Sequence, residues 1–376
     1  MEIDWAKVRG EFPALAGWTY LDTATYGQTP HCAVEAAERH FAHRNELACS
    51  DFLDWFDDAN RIRCGVARMI GCEADDIAFF GNASASSSLL VGGMDWRAGD
   101  RVVTLDGEFP NNVYYPALLN GRGVEFVETP WEGFYEAVNE RTRLVLLSSV
   151  NYTTGFRPPL EEVSRFLRAR GVMLYVDGTQ SVGALRMDLS RIQPSMMAVN
   201  AYKWMLSPNG AGFAYISPDL RARLEPNVVG WRSHHEWRRV DSLHRGAPEF
   251  SSKAEKYEGG MLNFPSLYAM GAVVEMMEQW GGFEIEARVM TLAEGLREIL
   301  RGLGGNLLYD AAPHYDSPIV TARWEGQDAS ALARALKQER VLVSARHGNL
   351  RVSAHFYNDH SDFERMRDVL KGLLKV

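Results

Sequence analysis

"YVDGTQSVGAL" at 175–185 and "NAYKWMLSPNGAGF" at 200–213 decide how this chain is read. The first continues an apolar run, "VMLYV" at 172–176, and closes it on Asp177 and a set of small and polar residues. A continuous apolar run ended by Asp and Gly predicts a strand buried on both faces. The second stretch places Lys203 between Tyr202 and Trp204 in nearly uncharged surroundings. An exposed turn lysine with a shielded stem is the ordinary reading of one such residue. The other reading is a partly desolvated amine, its pKa lowered and ready to form a Schiff base. The rest of the chain separates the two.

Other apolar runs also close on small or polar residues: "DIAFF" (76–80) before "GNAS", "RVVTL" (101–105) before "DGEF", and "RLVLLSSV" (143–150) before "NYTTG". Between them lie helical patterns. In 51–69, Phe52, Trp55, Phe56, Ala59, Ile62, Val66 and Met69 recur at helical spacing, and "LEEVSRFLRARG" (160–171) has Gly171 as its stop. Strands of continuous apolar character separated by helices predict an α/β fold, its mostly parallel sheet covered by helices. The last third differs. "NFPSLYAMGAVVEMMEQWGG" (263–282) predicts a long helix, and "DASALARALKQERVLVSARHGNLRVSAHFYN" (328–358) reads helix, strand, turn, strand. The C-terminal "SDFERMRDVLKGLLKV" opens with Ser361 and Glu364 at capping-box spacing. The expected organisation is an N-terminal arm (1–18) packing with the small domain, a large domain (19–261) and a smaller α+β domain (262–376).

Composition sets limits. Of 376 residues, 46% are apolar and 24% charged, enough for a sizeable core in a globular protein. A net charge of −9 argues against a nucleic-acid partner, which needs clustered Lys and Arg. No run approaches the roughly 20 apolar residues of a membrane helix. "MEIDWAKVRGEFPAL" lacks the pattern of a signal peptide, so a cytoplasmic protein is expected. The four cysteines, Cys32, Cys49, Cys64 and Cys72, fit no CxxC pair and are read as reduced packing residues.

In an open parallel sheet, ligands bind beyond the carboxyl ends of the strands. The residues closing each run then converge: Asn82, Ala83 and Ser84; Glu108 and Phe109; Asn151; Asp177 and Gln180; and Lys203. No GxGxxG follows the first strand and no GxxxxGK[ST] occurs, which weakens a dinucleotide or nucleotide reading. The adjacent His234 and His235 in "SHHEW" do not have metal-ligand spacing, so no metal is expected. Pyridoxal phosphate needs a lysine, an acid to keep its pyridine nitrogen protonated, and a phosphate cradle at a helix N-terminus. Lys203 and Asp177 supply the first two types, though an Asp after a strand is also a common helix cap.

In order and wording the chain resembles the class V aminotransferase family of fold-type I pyridoxal phosphate enzymes, which includes cysteine desulfurases, isopenicillin N epimerase-like proteins and kynureninase. The resemblance runs from "YLDTATYGQTP" (20–30) to "LRVSAHFYN" (350–358), and the two opening stretches are its most specific part. It implies that Lys203 is the Schiff-base lysine and Asp177 the partner of the pyridinium. Gln180 would lie near the ring oxygen, and Asn151 near that oxygen or the substrate. Phe109 takes the place of the ring that stacks on the cofactor. Ala83 and Ser84 match the phosphate loop, and the Tyr202 phenol would reach the phosphate. Arg351 matches the arginine that forks onto a substrate carboxylate. A homodimer with its active site at the interface is also implied.

The departures are informative. Gly259, Gly260 and Met261 stand where relatives often carry Gly-Thr, whose hydroxyl reaches the neighbouring subunit's phosphate. No late cysteine precedes Arg351, which argues against desulfuration through a persulfide. Arg346 and His347, close to Arg351, read equally as a site for a second substrate acid or as solvent-facing residues. The leading expectation is an aminotransferase acting on an α-amino acid or related amine. A lyase of kynureninase or C–S type comes next, favoured mildly by "EFPNNVYYP" (108–116), and then an epimerase. A binding protein without turnover fits less well, because Lys203, Asp177 and Arg351 are all present. The loop chemistry around Tyr114, Trp231, His234 and His235 would discriminate among these.

Overall fold

The computed structural model describes residues 3–309 and 312–375, so residues 1–2 of the expected arm and 310–311 and 376 of the expected small domain lie outside it. After a two-residue strand β1 (Thr19–Tyr20), seven strands build the main sheet. They are β2 (Ile77–Phe79), β3 (Arg101–Leu105), β4 (Glu125–Thr129), β5 (Thr142–Ser148), β6 (Met173–Asp177), β7 (Met196–Asn200) and β8 (Gly212–Ile216). Their order is β2-β8-β7-β6-β5-β3-β4. Pairing is parallel from β7 through β4, and β8 is antiparallel to both of its neighbours. The reversal has a local cause. Residues 201–211 form no helix, and a parallel return needs a crossover of about a dozen residues or more, usually helical.

Alternate residues of one strand enter two separate cores. Val145, Leu147 and Val176 share one core with Trp55, Phe56 and Val66 of the helix Asp54–Ile70. Leu144, Leu146 and Tyr175 share the other with Leu89 and Leu90 of the helix Ala83–Gly93. Burial of both faces is why these strands read as continuous apolar runs. The molecule is an α/β fold with a mostly parallel central sheet flanked by helices.

The second sheet is antiparallel, ordered β12-β13-β10-β9, from β9 (Asn306–Leu307), β10 (Val320–Arg323), β12 (Ser344–Arg346) and β13 (Asn349–Val352). Between them β11 (Val341–Leu342) pairs in parallel with β1, tying the start of the chain to this layer. Its core draws on Leu296 and Leu300 of Gly282–Gly302, Leu336 of Ala329–Gln338, and Met366 and Leu370 of His360–Leu374. The helix Phe264–Trp280 packs instead on His31–Leu47 and Asp54–Ile70. The early arm touches the C-terminal part: the Arg9 guanidinium reaches both Asp362 oxygens at 2.7 and 3.1 Å, and Phe12 packs on Phe356 and Tyr357.

One expectation is corrected. The C-terminal helix is capped by Asp359, with Asp362 completing the box, and not by Ser361 and Glu364. Asp359 comes first along the chain, and its carboxylate accepts the Ser361 N–H at 2.9 Å, so the helix starts at His360 and Ser361 falls inside it. Among the described residues, no helix is long and apolar enough to cross a membrane.

Candidate active site

The turn after β7 carries Lys203 and is held from four directions. Gly27 N–H donates to Tyr202 O at 2.9 Å, and a Cβ on Gly27 would lie 1.9 Å from Lys203 O. A Cβ on Gly183, whose φ is +101°, would lie 2.3 Å from Trp204 O. Trp204 Nε1–H donates to Gln180 Oε1 at 2.8 Å. His355, wholly buried, accepts Phe356 N–H at Nδ1, so its Nε2–H donates to Trp204 O at 2.8 Å. Burial holds its pKa down to about 3, and the ring stays neutral. The turn brings together the N-terminal segment, the residues after β6 and the C-terminal layer.

Lys203 is buried and has no hydrogen-bond partner among the described residues. Its Nζ lies 5.4 Å from the Phe109 ring centre. Burial draws its pKa down to about 8; the Asp177 charge offsets part of this, and Arg351 and Arg346 push it lower. Asp177, at the end of β6, accepts Thr179 N–H at 2.9 Å on Oδ1, and its other oxygen accepts no hydrogen bond among the described residues. A buried unpartnered amine beside a carboxylate with an open oxygen fits the two poles of pyridoxal phosphate chemistry.

The helix Ala83–Gly93 opens at the same end of the sheet. Asn200 Oδ1 accepts Ala83 N–H at 2.8 Å and Asn82 Oδ1 accepts Ala85 N–H at 2.9 Å. Ser84, exposed, keeps its N–H free among the described residues while its hydroxyl donates to Asn111. The free Ser84 N–H at a helix start suits a phosphate, whereas the Ala83 N–H is already taken by Asn200. Tyr202 is half-buried with its ring 4.9 Å from Tyr26. Phe109 meets Tyr152 edge-on at 5.2 Å.

Other expected residues are already engaged with the chain. Gln180 Nε2 donates to Ala24 O at 3.0 Å, besides accepting from Trp204. Asn151 accepts Thr153 and Thr154 N–H on Oδ1 and donates to Gly107 O, bracing its own turn. Arg351 is wholly buried: it donates to Ser344 Oγ, Tyr152 O, Thr25 Oγ1 and Asp22 Oδ1, the last an ion pair at 3.1 Å. Burial lowers its pKa to about 10, and Asp22 opposes that. Glu108 is buried and pushed up by burial; the N–H and hydroxyl of Ser148 and the Asn112 amide oppose the rise, and the Asp177 charge adds to it.

The loop residues fall elsewhere. Trp231 packs on Phe56 and Trp237, and Tyr114 is exposed. Among the described residues, no hydrogen bond or ring contact joins His234 or His235 to the lysine turn. The ligand atoms of His234, His235 and Glu236 lie within 4.8 Å of one another. His234 Nδ1 accepts the Glu249 N–H, so its neutral ring carries the proton on Nε2 and has no lone pair left for a metal. The sequence reading missed Asn200, Asp22 and Thr25. Asn200 closes the apolar run "MMAV" as the recognised residues close theirs; Asp22 and Thr25 carry no comparable signal.

A family model described as Aminotransferase class-V matches residues 19–366. The chain is 26% identical over 395 residues to a "Probable cysteine desulfurase" of Methanothermobacter thermautotrophicus, covering 97% of each chain. It is 29% identical over 398 residues to "Isopenicillin N epimerase" of Streptomyces clavuligerus, covering 98% of each. A solved structure of a C-DES variant, with glycine covalently linked to the PLP cofactor, has a TM-score of 0.89 at 22% identity, over 96% of this chain and 98% of that one. That last likeness shows the fold.

Proposed function

The chain belongs to the class-V aminotransferase family and is a pyridoxal phosphate enzyme of transferase or lyase type, and from that premise we propose that it is an aminotransferase acting on an α-amino acid or related amine. The observation that carries the cofactor chemistry, which this reading shares with a lyase or an epimerase, is Lys203, a buried amine with no hydrogen-bond partner among the described residues and with its pKa near 8. When bound, pyridoxal phosphate supplies an electron sink for the charge left on the substrate carbon as a proton departs. Asp177 would keep the cofactor's ring nitrogen protonated. Ala83, Ser84 and Tyr202 would hold the phosphate, Phe109 would cover the ring, Gln180 would lie near the ring oxygen, and Asn151 near that oxygen or the substrate. Lys203 Nζ, neutral above about pH 8, takes the substrate α-proton and holds it for return.

The proposal includes a cytoplasmic homodimer and the division into an arm (1–18), a cofactor domain (19–261) and a small domain (262–376). No cysteine follows Cys72, so desulfuration through a late persulfide-forming cysteine is not part of it. A lyase or an epimerase is the second reading, favoured by the likeness to a probable cysteine desulfurase at 26% identity and an isopenicillin N epimerase at 29%.

The test is a visible spectrum of the purified protein while amino acids are added singly. A yellow band that Lys203→Ala alters, that an amino acid bleaches and that a 2-oxo acid restores is the expected result. Product release while the band persists would replace the aminotransferase with a lyase or epimerase. No bound cofactor, even after adding it, would sink the assignment.

A further inference from the structure

Glu108 is a buried carboxylate that the proposed mechanism does not use, and it stands directly before Phe109. Both of its oxygens are engaged. Oε1 accepts the Ser148 N–H at 2.7 Å, and Oε2 accepts the Ser148 hydroxyl and, at 2.9 Å, the Asn112 amide. The Phe109 N–H also reaches Oε2, at 3.3 Å. A buried charge is costly to keep, and an apolar side chain of similar volume would fill the space without that cost. What an apolar side chain would not do is tie the turn down.

The bonds of Glu108 join two parts of the site. Ser148 ends β5 and stands opposite Asp177 in the register with β6. The same strand end grips Asp177 O, to which Ser149 donates its N–H at 2.9 Å and its hydroxyl at 3.0 Å. On the near side, Gly107 O accepts from Asn151 Nδ2 at 2.9 Å. The segment 107–112 is also closed on itself, because Asn112 donates its N–H to Phe109 O at 2.8 Å and its side-chain amide to Glu108. Phe109 is the residue these bonds enclose. It is half-buried, and its one aromatic contact among the described residues is edge-on with Tyr152, so the turn beneath it sets where the ring stands. The centre of that ring lies 5.4 Å from Lys203 Nζ.

We propose that Glu108 is a positioning residue: through Ser148 and Asn112 it locks the ring-covering Phe109 to the strand end that carries Asp177. The stacking face and the partner of the ring nitrogen then form one rigid frame. This rests on the pyridoxal phosphate assignment above and on Phe109 as the ring cover.

The test reads the visible circular dichroism of the holoprotein per bound cofactor, a signal set by how the cofactor ring sits in its surroundings. Phe109→Ala gives the scale of a lost ring cover. Whichever way its amide turns, Glu108→Gln sets a donor against the Asn112 amide or the Ser148 N–H. It is expected to lose most of the signal, in the direction of Phe109→Ala. Glu108→Gln with Asn112→Asp exchanges donor and acceptor, keeps the charge of the pair, and is expected to restore it. Ser148→Ala removes only the hydroxyl donor, and it carries the test if Glu108→Gln does not fold; a smaller loss in the same direction is expected. A lower urea midpoint with wild-type dichroism in these variants would make Glu108 a structural residue and overturn the inference, leaving the cofactor assignment standing. A double variant no better than Glu108→Gln would overturn it too. Wild-type dichroism in Phe109→Ala would remove the ring cover and the inference together, and a wild-type protein with no visible band would remove the cofactor assignment as well.

Discussion

At the scale of one residue, Lys203 has a cost that can be measured without any substrate. Its amine gives up a proton near pH 8 when folded and near 10.5 when unfolded. Between those values the unfolded chain binds more protons, so stability rises with pH through that window, and the penalty is fully present below it. A separation of this size corresponds to about 3 kcal/mol. Cofactor-free Lys203→Met is therefore expected to be more stable than wild type at pH 7, by up to about 3 kcal/mol, with the gap closing toward pH 10.5. Denaturant unfolding at both pH values checks this, and equal stabilities at pH 7 would count against a desolvated lysine. The lysine itself was legible in sequence because its aromatic flanks and the distance to Asp177 are local facts. Of the charges that tune it, Asp22 was not. Asp22 meets Arg351 across most of the chain, and no spacing rule connects them.

At the scale of elements, the site depends on close approach at two glycines. Gly183→Ala would place a methyl group 2.3 Å from Trp204 O at a φ of +101°, against backbone that is itself pinned by His355. A loss of about 2–4 kcal/mol is expected, together with weaker retention of pyridoxal phosphate. Gly121→Ala, where a Cβ meets nothing within 4 Å, serves as the control. Urea midpoints and bound cofactor per chain separate the two, and a Gly183→Ala protein as stable as the control would show that the turn can shift. The strands were readable because double burial leaves no polar face to interrupt the apolar runs. The reversal of β8 was not, since chain direction lies in the connection and not in the strand's own residues. The C-terminal cap shows the same limit: Asp359–Asp362 and Ser361–Glu364 have equal spacing, and geometry chooses between them.

At the scale of the whole molecule, the proposed homodimer has a surface to account for. Val228, Val229 and Met261 are 57%, 56% and 54% exposed, and a Cβ on the neighbouring Gly259 would meet Val228 at 2.8 Å. Apolar side chains gathered in this way are a common mark of a subunit contact. Sedimentation is expected to give a dimer, and Val229→Asp with Met261→Asp to shift it toward monomer and reduce bound cofactor. A wild-type monomer that retains pyridoxal phosphate would sink the proposal. The clamp on the lysine turn has a further consequence, for time. Gly27, Gly183 and His355 come from the beginning, the middle and the end of the chain, so the turn closes only after long loops have been brought together, the slow class of event in folding. Helical signal is expected to return early on refolding, and the yellow colour late.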